Sequence, residues 1–539
     1  MLGAIPEKLW GRDFMRFIPF FLVLCALCGG VYALQYSQLA WFAIGIFGGL
    51  TLIGLADLVQ VRHSLKRNYP IIGQIRWVGY WLRPFLRQYI VESDTEGRPF
   101  NHEQRALVYR RAKNVSSVEP FGSHVDANQQ GHQWLAHSIA AKSPPDLDTL
   151  CVKVGGEDCK KPYDASLLNI SAMSFGSLGG NAIEALNKGA AKGGFYHDTG
   201  EGGVSRYHRH GGDLVWELGS GYFGCRANDG GFEPERFKDV ASDDQIKMIE
   251  IKLSQGAKPG HGGMLPGEKV TAAIAEARGV PIGQTVISPP YHKAFSTPLE
   301  LVSFIGRLRE LSGGKPVGFK LCIGPASEFL AIIKAMCETG IYADFIVIDG
   351  AEGGTGAAPM EFQDHIGAPL REGLILARNA LVGAGIKGKV RLAVSGKIVS
   401  GFGMASAMAL GADWVNSARG FMFALGCVQS LHCHDNTCPT GIATQDPGRQ
   451  RGLVVSSKAE RVCHFQKNTL HALAEVIAAA GVTHPSELDA GRLMIRKDTD
   501  VIVPATQFYN LLAPNVLIDA PEDTHLARAW RSASSERFA

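Results

Sequence analysis

Residues 317–350 read VGFKLCIGPASEFLAIIKAMCETGIYADFIVIDG, and their pattern decides the architecture. VGFKLCIG and DFIVIDG are short, mostly apolar runs that end in glycine, the mark of strands buried on both faces. Between them, ASEFLAIIKAMCETG places apolar residues at i, i+3, i+4 and i+7 with charges opposite, which predicts a helix. A strand, a helix and a second strand make a βαβ unit, whose strands run parallel.

The same run recurs on both sides, as LLNISAMSFG, GGFYHDTGEGG, IKMIEIKL, TVISPP, KVRLAVSG and DWVNSARG. Eight runs between Leu167 and Gly420, alternating with helical stretches such as PLELVSFIGRLREL, predict a parallel (β/α)8 TIM barrel. LVWELGSGYFG is expected to add an extra strand between units. A doubly wound open sheet is the lesser reading, because no GxGxxG opens the first unit.

Chemistry in a TIM barrel gathers at the carboxyl ends of the strands. On this count Ser174 and Gly176 end the first strand and Glu201 the second. Lys258 lies past the third, Ser288 ends the fourth and Lys320 lies in the fifth. Asp349 and Gly350 end the sixth, Ser395 and Gly396 the seventh.

Fifty-four basic residues against 51 acidic ones give a net charge of +3, so a nucleic-acid footprint is not expected. Eleven scattered cysteines do not make a secreted disulfide framework and point to a reducing compartment. No charged residue occurs from Phe17 to Ala56, and FIPFFLVLCALCGGVYAL and LAWFAIGIFGGLTLIGLA each approach the length of a membrane span. We read residues 1–67 as a two-helix transmembrane hairpin in the inner (plasma) membrane. Lys8, Arg12 and Arg16 before it and Arg62, Lys66 and Arg67 after it place both ends and the catalytic body in the cytoplasm. Residues 68–166 read as an interfacial helix, with Trp77, Trp81 and Phe85 among Arg76, Arg83 and Arg87, followed by a wrapping subdomain. The rings suit a lipid headgroup region or packing on the body equally. Residues 167–447 hold the barrel and 448–539 a tail with an amphipathic helix that ends at Gly481.

The loops after the seventh and eighth strands, SGKIVSGFG and NSARGFMF, place glycine amides, including Gly396 and Gly420, beside Lys397 and Arg419, a setting for a phosphate dianion. That phosphate belongs to a substrate or a cofactor. Small residues in NISAMSFG (Ala172, Met173, Ser174) let a flat ring lie on backbone, and with Lys320, Gly350 and Ser395 they outline a site for flavin mononucleotide (FMN).

CVQSLHCHDNTCPTGIATQ, residues 427–445, carries Cys427, Cys433 and Cys438 with spacings of five and four. Zinc with His432 or His434, an iron–sulfur cluster, and packed thiols are all open to this spacing. A proline after the last cysteine leans toward iron–sulfur ligation.

Taken in order, ISAMSFGSLGGNAIEALNKGA, HDTGEGGVSRYH, EIKLSQGAKPGHGGMLPGEKV, ISPPYHKAFSTPLELVSFIGRLRE, VIDGAEGGTGAAP, GFMFALGC and CPTGIATQDP resemble the central FMN domain of glutamate synthases, from Leu167 to Pro447. The resemblance implies FMN in a TIM barrel and a 3Fe-4S cluster on Cys427, Cys433 and Cys438. It further implies hydride transfer to 2-iminoglutarate, formed from 2-oxoglutarate and ammonia. Glu201, Gln255 and Lys258 would act on the oxoacid and its imine, a lysine pairing with carboxylate and a glutamate accepting protons.

Two departures shape the expectation. A chain that opens MLGAIPEKLW is not expected to carry the family's N-terminal cysteine glutaminase, and PGHGG puts His261 where the family has a glutamate. Without a nicotinamide fingerprint, electrons are expected from a separate reductase, ferredoxin or quinone. The closer likeness is to membrane-anchored glutamate synthase-like proteins. The alternative is an FMN-dependent dehydrogenase feeding quinone, and a subunit without turnover is a third reading. His208 and His210 of YHRHGG are expected to brace a loop.

Overall fold

The computed structural model describes residues 15–538, and the chain divides into two units, Met1–Arg98 and Pro99–Ala539. In the first, helices α1 (Ile18–Ala33) and α2 (Ala40–Val59) form an antiparallel hairpin. Phe20, near the start of α1, lies over Gly54 near the end of α2, where a built Cβ would stand 2.4 Å from the ring. Among the described residues, only α2 is long and apolar enough by itself to cross a membrane. The 16 residues of α1 rise about 24 Å, short of a hydrocarbon core of about 30 Å. Two spans were expected; the chain leaves α1 at Ala33 and turns through residues 34–39. Lys8 and Arg12 lie outside the described residues.

Just past the apolar stretch, Asp57 is buried in α2, where a bare carboxylate would be costly. It accepts the Ile71 amide at 3.1 Å and the Gln74 side-chain amide at 2.6 Å, which fastens the start of α3 (Gly73–Leu86) to α2.

The second unit holds a closed barrel of eight parallel strands. They are β1 (Leu168–Ile170), β2 (His197–Asp198), β3 (Leu214–Leu218), β4 (Ile246–Lys252), β5 (Val317–Leu321), β6 (Phe345–Asp349), β7 (Arg391–Ser395) and β8 (Trp414–Ser417). The count of eight stands, but its membership changes. LVWEL is β3, buried along its whole length, and not an extra strand. Val286–Ile287 of TVISPP lies outside the barrel in a two-stranded hairpin with Met264–Leu265. The confusion has a physical cause: β2 and β3 are joined by a loop whose only helical piece is a single 3-10 turn, Arg206–His208, so the strand–helix rhythm breaks there.

Helices seal the barrel wall. The βαβ unit forms as its periodicity predicts, with α6 (Ala326–Thr339) between β5 and β6 and Gly340 ending it at a φ of 69°. Helix α5 (Pro298–Leu311) begins with a reciprocal cap: Thr297 Oγ1 accepts the Glu300 amide at 3.1 Å and Glu300 accepts the Thr297 amide at 3.2 Å. The tail helix, α8 counting α4 as Gly180–Gly193 and α7 as Leu370–Gly383, is Val455–Ala479. Val462, Phe465, Leu473 and Ile477 line its buried face, each burial worth about 1.5–3 kcal/mol. At Gly189 of α4, any side chain would strike Val462 within 2.5 Å.

Candidate active site

At the carboxyl end of β2 the chain turns through GEGG, and Glu201 faces the last residue of β4. Lys252 Nζ lies 2.9 Å from its Oε2. Burial works against the Glu201 carboxylate, yet Lys252, Arg278 and Lys258 overcome it and hold its pKa down at about 2. One carboxylate among three cations leaves a net positive pocket. Lys258, on the loop after β4, donates to Gly262 O at 2.7 Å, and burial lowers its pKa. Arg278 donates to Phe175 O at 3.1 Å and lies over the Phe223 ring. Gln255, half-buried, belongs to the same loop as Lys258. Lys258 therefore follows the fourth strand rather than the third. Ser288, no longer a strand end, still returns to this mouth: its amide donates to Gly263 O at 2.8 Å.

That loop is clamped. Gly256 N donates to Asp349 Oδ2 at 2.7 Å, and a built Cβ on Gly256 would lie 1.8 Å from Gly350 O. Gly256→Ala is expected to destabilise the protein by about 1–3 kcal/mol, because backbone cannot yield as a side chain does. Urea unfolding checks this, and an unchanged midpoint would refute the clamp.

Lys320 sits on the barrel axis. Its Nζ pairs with Glu217 Oε2 and lies 3.1 Å from Glu250 Oε1, all three side chains being at least 95% buried. Asp198, Glu217 and Glu250 offer oxygens within 4.8 Å of one another, a grouping that resembles a cation site. The lysine ammonium already supplies the positive charge there. Burial pushes Asp198 well up and Glu250 up to about 7, while its three carboxylate neighbours and Asp349 hold Lys320 well above its ordinary value. The residue expected to touch a flavin is thus tied from below.

Ser395 and Gly396 end β7, and Gly420 follows β8 at the first turn of a short helix, Arg419–Leu425; the two strands are paired, Ser395 opposite Asn416. Their loops stand side by side, as a phosphate site of this kind requires. Ser395 Oγ is 3.2 Å from Ser171 Oγ, next to half-buried Ala172 and Ser174 and to Met173 at the end of β1. Lys397 follows with a φ of 52°. Arg419, in contrast, is turned away: it donates to Gly354 O and to the Cys433 sulfur. Gly350 packs against Glu352 and Leu370, where a Cβ would meet atoms at 2.3 and 2.6 Å.

The three cysteines close the site. Gln429 N donates to Cys427 Sγ at 3.5 Å, and burial carries that thiol up to about 11. Burial raises Cys433 despite Arg419. Cys438 goes the other way: burial opposes its thiolate, but the Thr440 hydroxyl at 3.4 Å and the amides of Ala443, Thr440 and Ile442 bring its pKa below the ordinary value. Hydrogen-bond donors thus face all three sulfurs, which suits anionic sulfur ligands. Among the described residues no trio of metal-binding groups that includes these thiols closes to within 4.8 Å. His432 turns to Asp435 at 2.9 Å, and His434 is exposed.

Of the residues expected at the mouth, Glu201 and Lys258 converge, and Arg419 lies beside Cys427 and Cys433. His208 braces its loop, its Nδ1 accepting the Ser205 amide at 3.0 Å. His261 packs edge-on against Phe362. Lys252 and Arg278 escaped the reading of the sequence, as did Asp198, Glu217 and Glu250. A signal existed for Glu217 and Glu250, since a carboxylate inside LVWEL or IKMIEIK has no place in an apolar strand without a partner.

Comparison with known proteins agrees with this geometry. The family profile described as a conserved region in glutamate synthase matches residues 139–483. The glutamate synthase large subunit-like protein YerD of Bacillus subtilis (strain 168) is 36% identical over 523 residues, covering 89% of this chain and 97% of that one. The archaeal-type glutamate synthase [NADPH] of Thermotoga neapolitana is 35% identical over 329 residues, 60% of this chain and 61% of that one. The glutamate synthase [NADPH] large chain of B. subtilis is 32% identical over 319 residues, of which it is 20% covered. The chain spans about three fifths of the archaeal-type relative and a fifth of the large chain. With the profile covering more than half its length and a relative aligned almost end to end, the chain belongs to the glutamate synthase family of oxidoreductases.

Proposed function

We propose that the barrel carries out the reductive half of a glutamate synthase-type reaction, converting a 2-oxoacid imine to the amino acid, with 2-oxoglutarate as the oxoacid. The observation that carries this reading is the cluster of Lys252, Lys258 and Arg278 around Glu201. Two positive charges in excess suit a dicarboxylate, and Glu201, ionised down to about pH 2, holds ammonium or the protonated carbinolamine nitrogen by accepting its hydrogen bonds. Lys258 and Gln255, on the loop clamped by Gly256, orient the substrate carboxylate.

FMN fits the mouth, with its phosphate at the paired β7 and β8 loops (Ser395, Gly396, Gly420) and its ring against Ala172, Met173 and Ser174; bound there it would supply the hydride. Cys427, Cys433 and Cys438 suit a 3Fe-4S cluster that would relay single electrons. Lys320, held by Glu217 and Glu250, would offer its charge to the flavin from inside the barrel. Ammonia and electrons come from separate partners, the latter a reductase, ferredoxin or quinone. The hairpin α1–α2 anchors the chain in the inner membrane with the barrel on the cytoplasmic side. A dehydrogenase that feeds quinone uses the same cofactors but gives the three cations no task.

The test is a half-reaction. The detergent-solubilised protein is photoreduced without oxygen and given 2-oxoglutarate and ammonium. Reoxidation of the flavin with formation of glutamate is the expected result. A flavin that stays reduced with this pair, but is reoxidised by a quinone, would overturn the assignment.

A further inference from the structure

We infer that helix α3 lies in the plane of an anionic membrane surface, as a second contact beside the hairpin. The inference rests on the anchoring reading above and adds the lipid class.

Helix α3 continues through a π-helical turn, Arg87–Val91, in which Tyr89, Ile90 and Val91 are exposed. At 100° per residue, Ile75, Val78, Trp81, Phe85 and Leu86 fall within one arc of about 140°. Each is exposed, from 46% at Leu86 to 69% at Trp81. Arg76, Arg83 and Arg87 fall within about 40° of one another on the opposite side. An apolar aromatic face backed by a row of arginines is the pattern of a helix that sinks one side among acyl chains and keeps the other among headgroups. As free surface in water, such a face would be a liability.

Charge selects the lipid. From Val61 to Val91 the chain has six cations, Arg62, Lys66, Arg67, Arg76, Arg83 and Arg87, and no acidic residue. Two of the arginines are already engaged: Arg87 pairs with Glu92 at 2.8 Å, and Arg76 lies over the Tyr80 ring. With no acidic residue from Val61 to Val91 the segment stays net positive, and basic segments beside a membrane are drawn to acidic headgroups. Lys66, over the Trp77 ring at 4.4 Å, ties the preceding helical turn, Ser64–Asn68, to the same helix.

The experiment uses the full chain in lipid nanodiscs containing dibrominated lipid, which quenches tryptophan on contact. Emission from α3 is isolated by difference with Trp77→Phe/Trp81→Phe, and emission from the hairpin by difference with Trp41→Phe, since Trp41 is exposed on α2. In discs with about 30% phosphatidylglycerol the α3 emission is expected to be quenched at least about twofold more than in phosphatidylcholine discs. That excess should vanish in about 0.5 M salt and in Arg76→Gln/Arg83→Gln. Quenching of Trp41 without quenching of α3 would overturn the inference and leave the anchor standing. Equal quenching of α3 in both discs would overturn the choice of an anionic lipid. If neither signal is quenched, the anchoring reading fails and takes this inference with it.

Discussion

Lys320→Met is expected to destabilise the protein by about 3–5 kcal/mol, the usual result of removing one partner from a buried ion pair. Methionine keeps the length of the side chain, so packing changes little and the loss reports charge. Without the ammonium, Glu217 and Glu250, each about 1% accessible, and Asp198 beside them are left with no cation inside the barrel. The pH dependence identifies the cause. Glu250 titrates at about 7 in the folded protein against 4.5 in an open chain, so the folded state holds the proton more tightly. Its contribution is complete below about pH 4.5 and is lost as pH rises through 7. In the variant the restraint that Lys320 places on Glu250 and Asp198 is gone, so both titrate higher still and the deficit grows from pH 6 to pH 8. Urea unfolding at the two pH values measures it. A deficit below about 1 kcal/mol at both would mean that the carboxylates are neutral without the lysine. Lys320→Met combined with Glu217→Gln should recover part of the loss.

The barrel was legible because six of its strands are short, mostly apolar runs closed by glycine or a polar turn, with β2, only His197–Asp198, marked by the glycine loop after it, and because α5, α6 and α8 carry the 3.6-residue repeat in full. The eighth failed where the physics of the local sequence misleads. TVISPP has strand-forming residues before a double proline but pairs only with Met264–Leu265 outside the wall. LVWEL was expected as a strand but, following no helix, was read as an extra one and not as a member of the wall. The site divides along similar lines. Glu201, Lys258 and the cysteines stood in glycine loops or in a spaced motif, where a reactive residue has few structural reasons to be. Lys320 also stood out, but its partners lie 103 and 70 positions away, at Glu217 and Glu250, and nothing local shows that its charge is already taken. Arg278 belongs to a helix, Ala272–Arg278, whose pattern reads as surface until the fold carries it to Glu201. The hairpin was legible as two apolar stretches joined by a short polar one, and the turn at residues 34–39 leaves one helix four residues shorter than the other.

Cys438→Ser is expected to abolish iron binding and to lower turnover with a one-electron donor beyond the roughly 10–100-fold loss typical of changing an outer hydrogen-bond partner. Cys438 is the thiol whose surroundings are most committed to an anion, with the Thr440 hydroxyl and three amides aimed at its sulfur. Thr440→Val removes one of those donors and leaves the ligands in place, so it should retain iron and lose activity within that 10–100-fold range. The pair of variants separates a ligand from its support. Iron content and the low-temperature electron paramagnetic resonance signal of the oxidised protein provide the first readout. A second comes from flavin reduced photochemically, which bypasses the cysteine motif. If these thiols carry a relay, Cys438→Ser loses turnover with the one-electron donor but still reoxidises its flavin with 2-oxoglutarate and ammonium. Retention of the full iron content in Cys438→Ser would refute the ligand assignment. Loss of both the relay and the flavin half-reaction would show instead that residues 427–445 shape the barrel mouth itself, through Arg419 and its hold on Gly354.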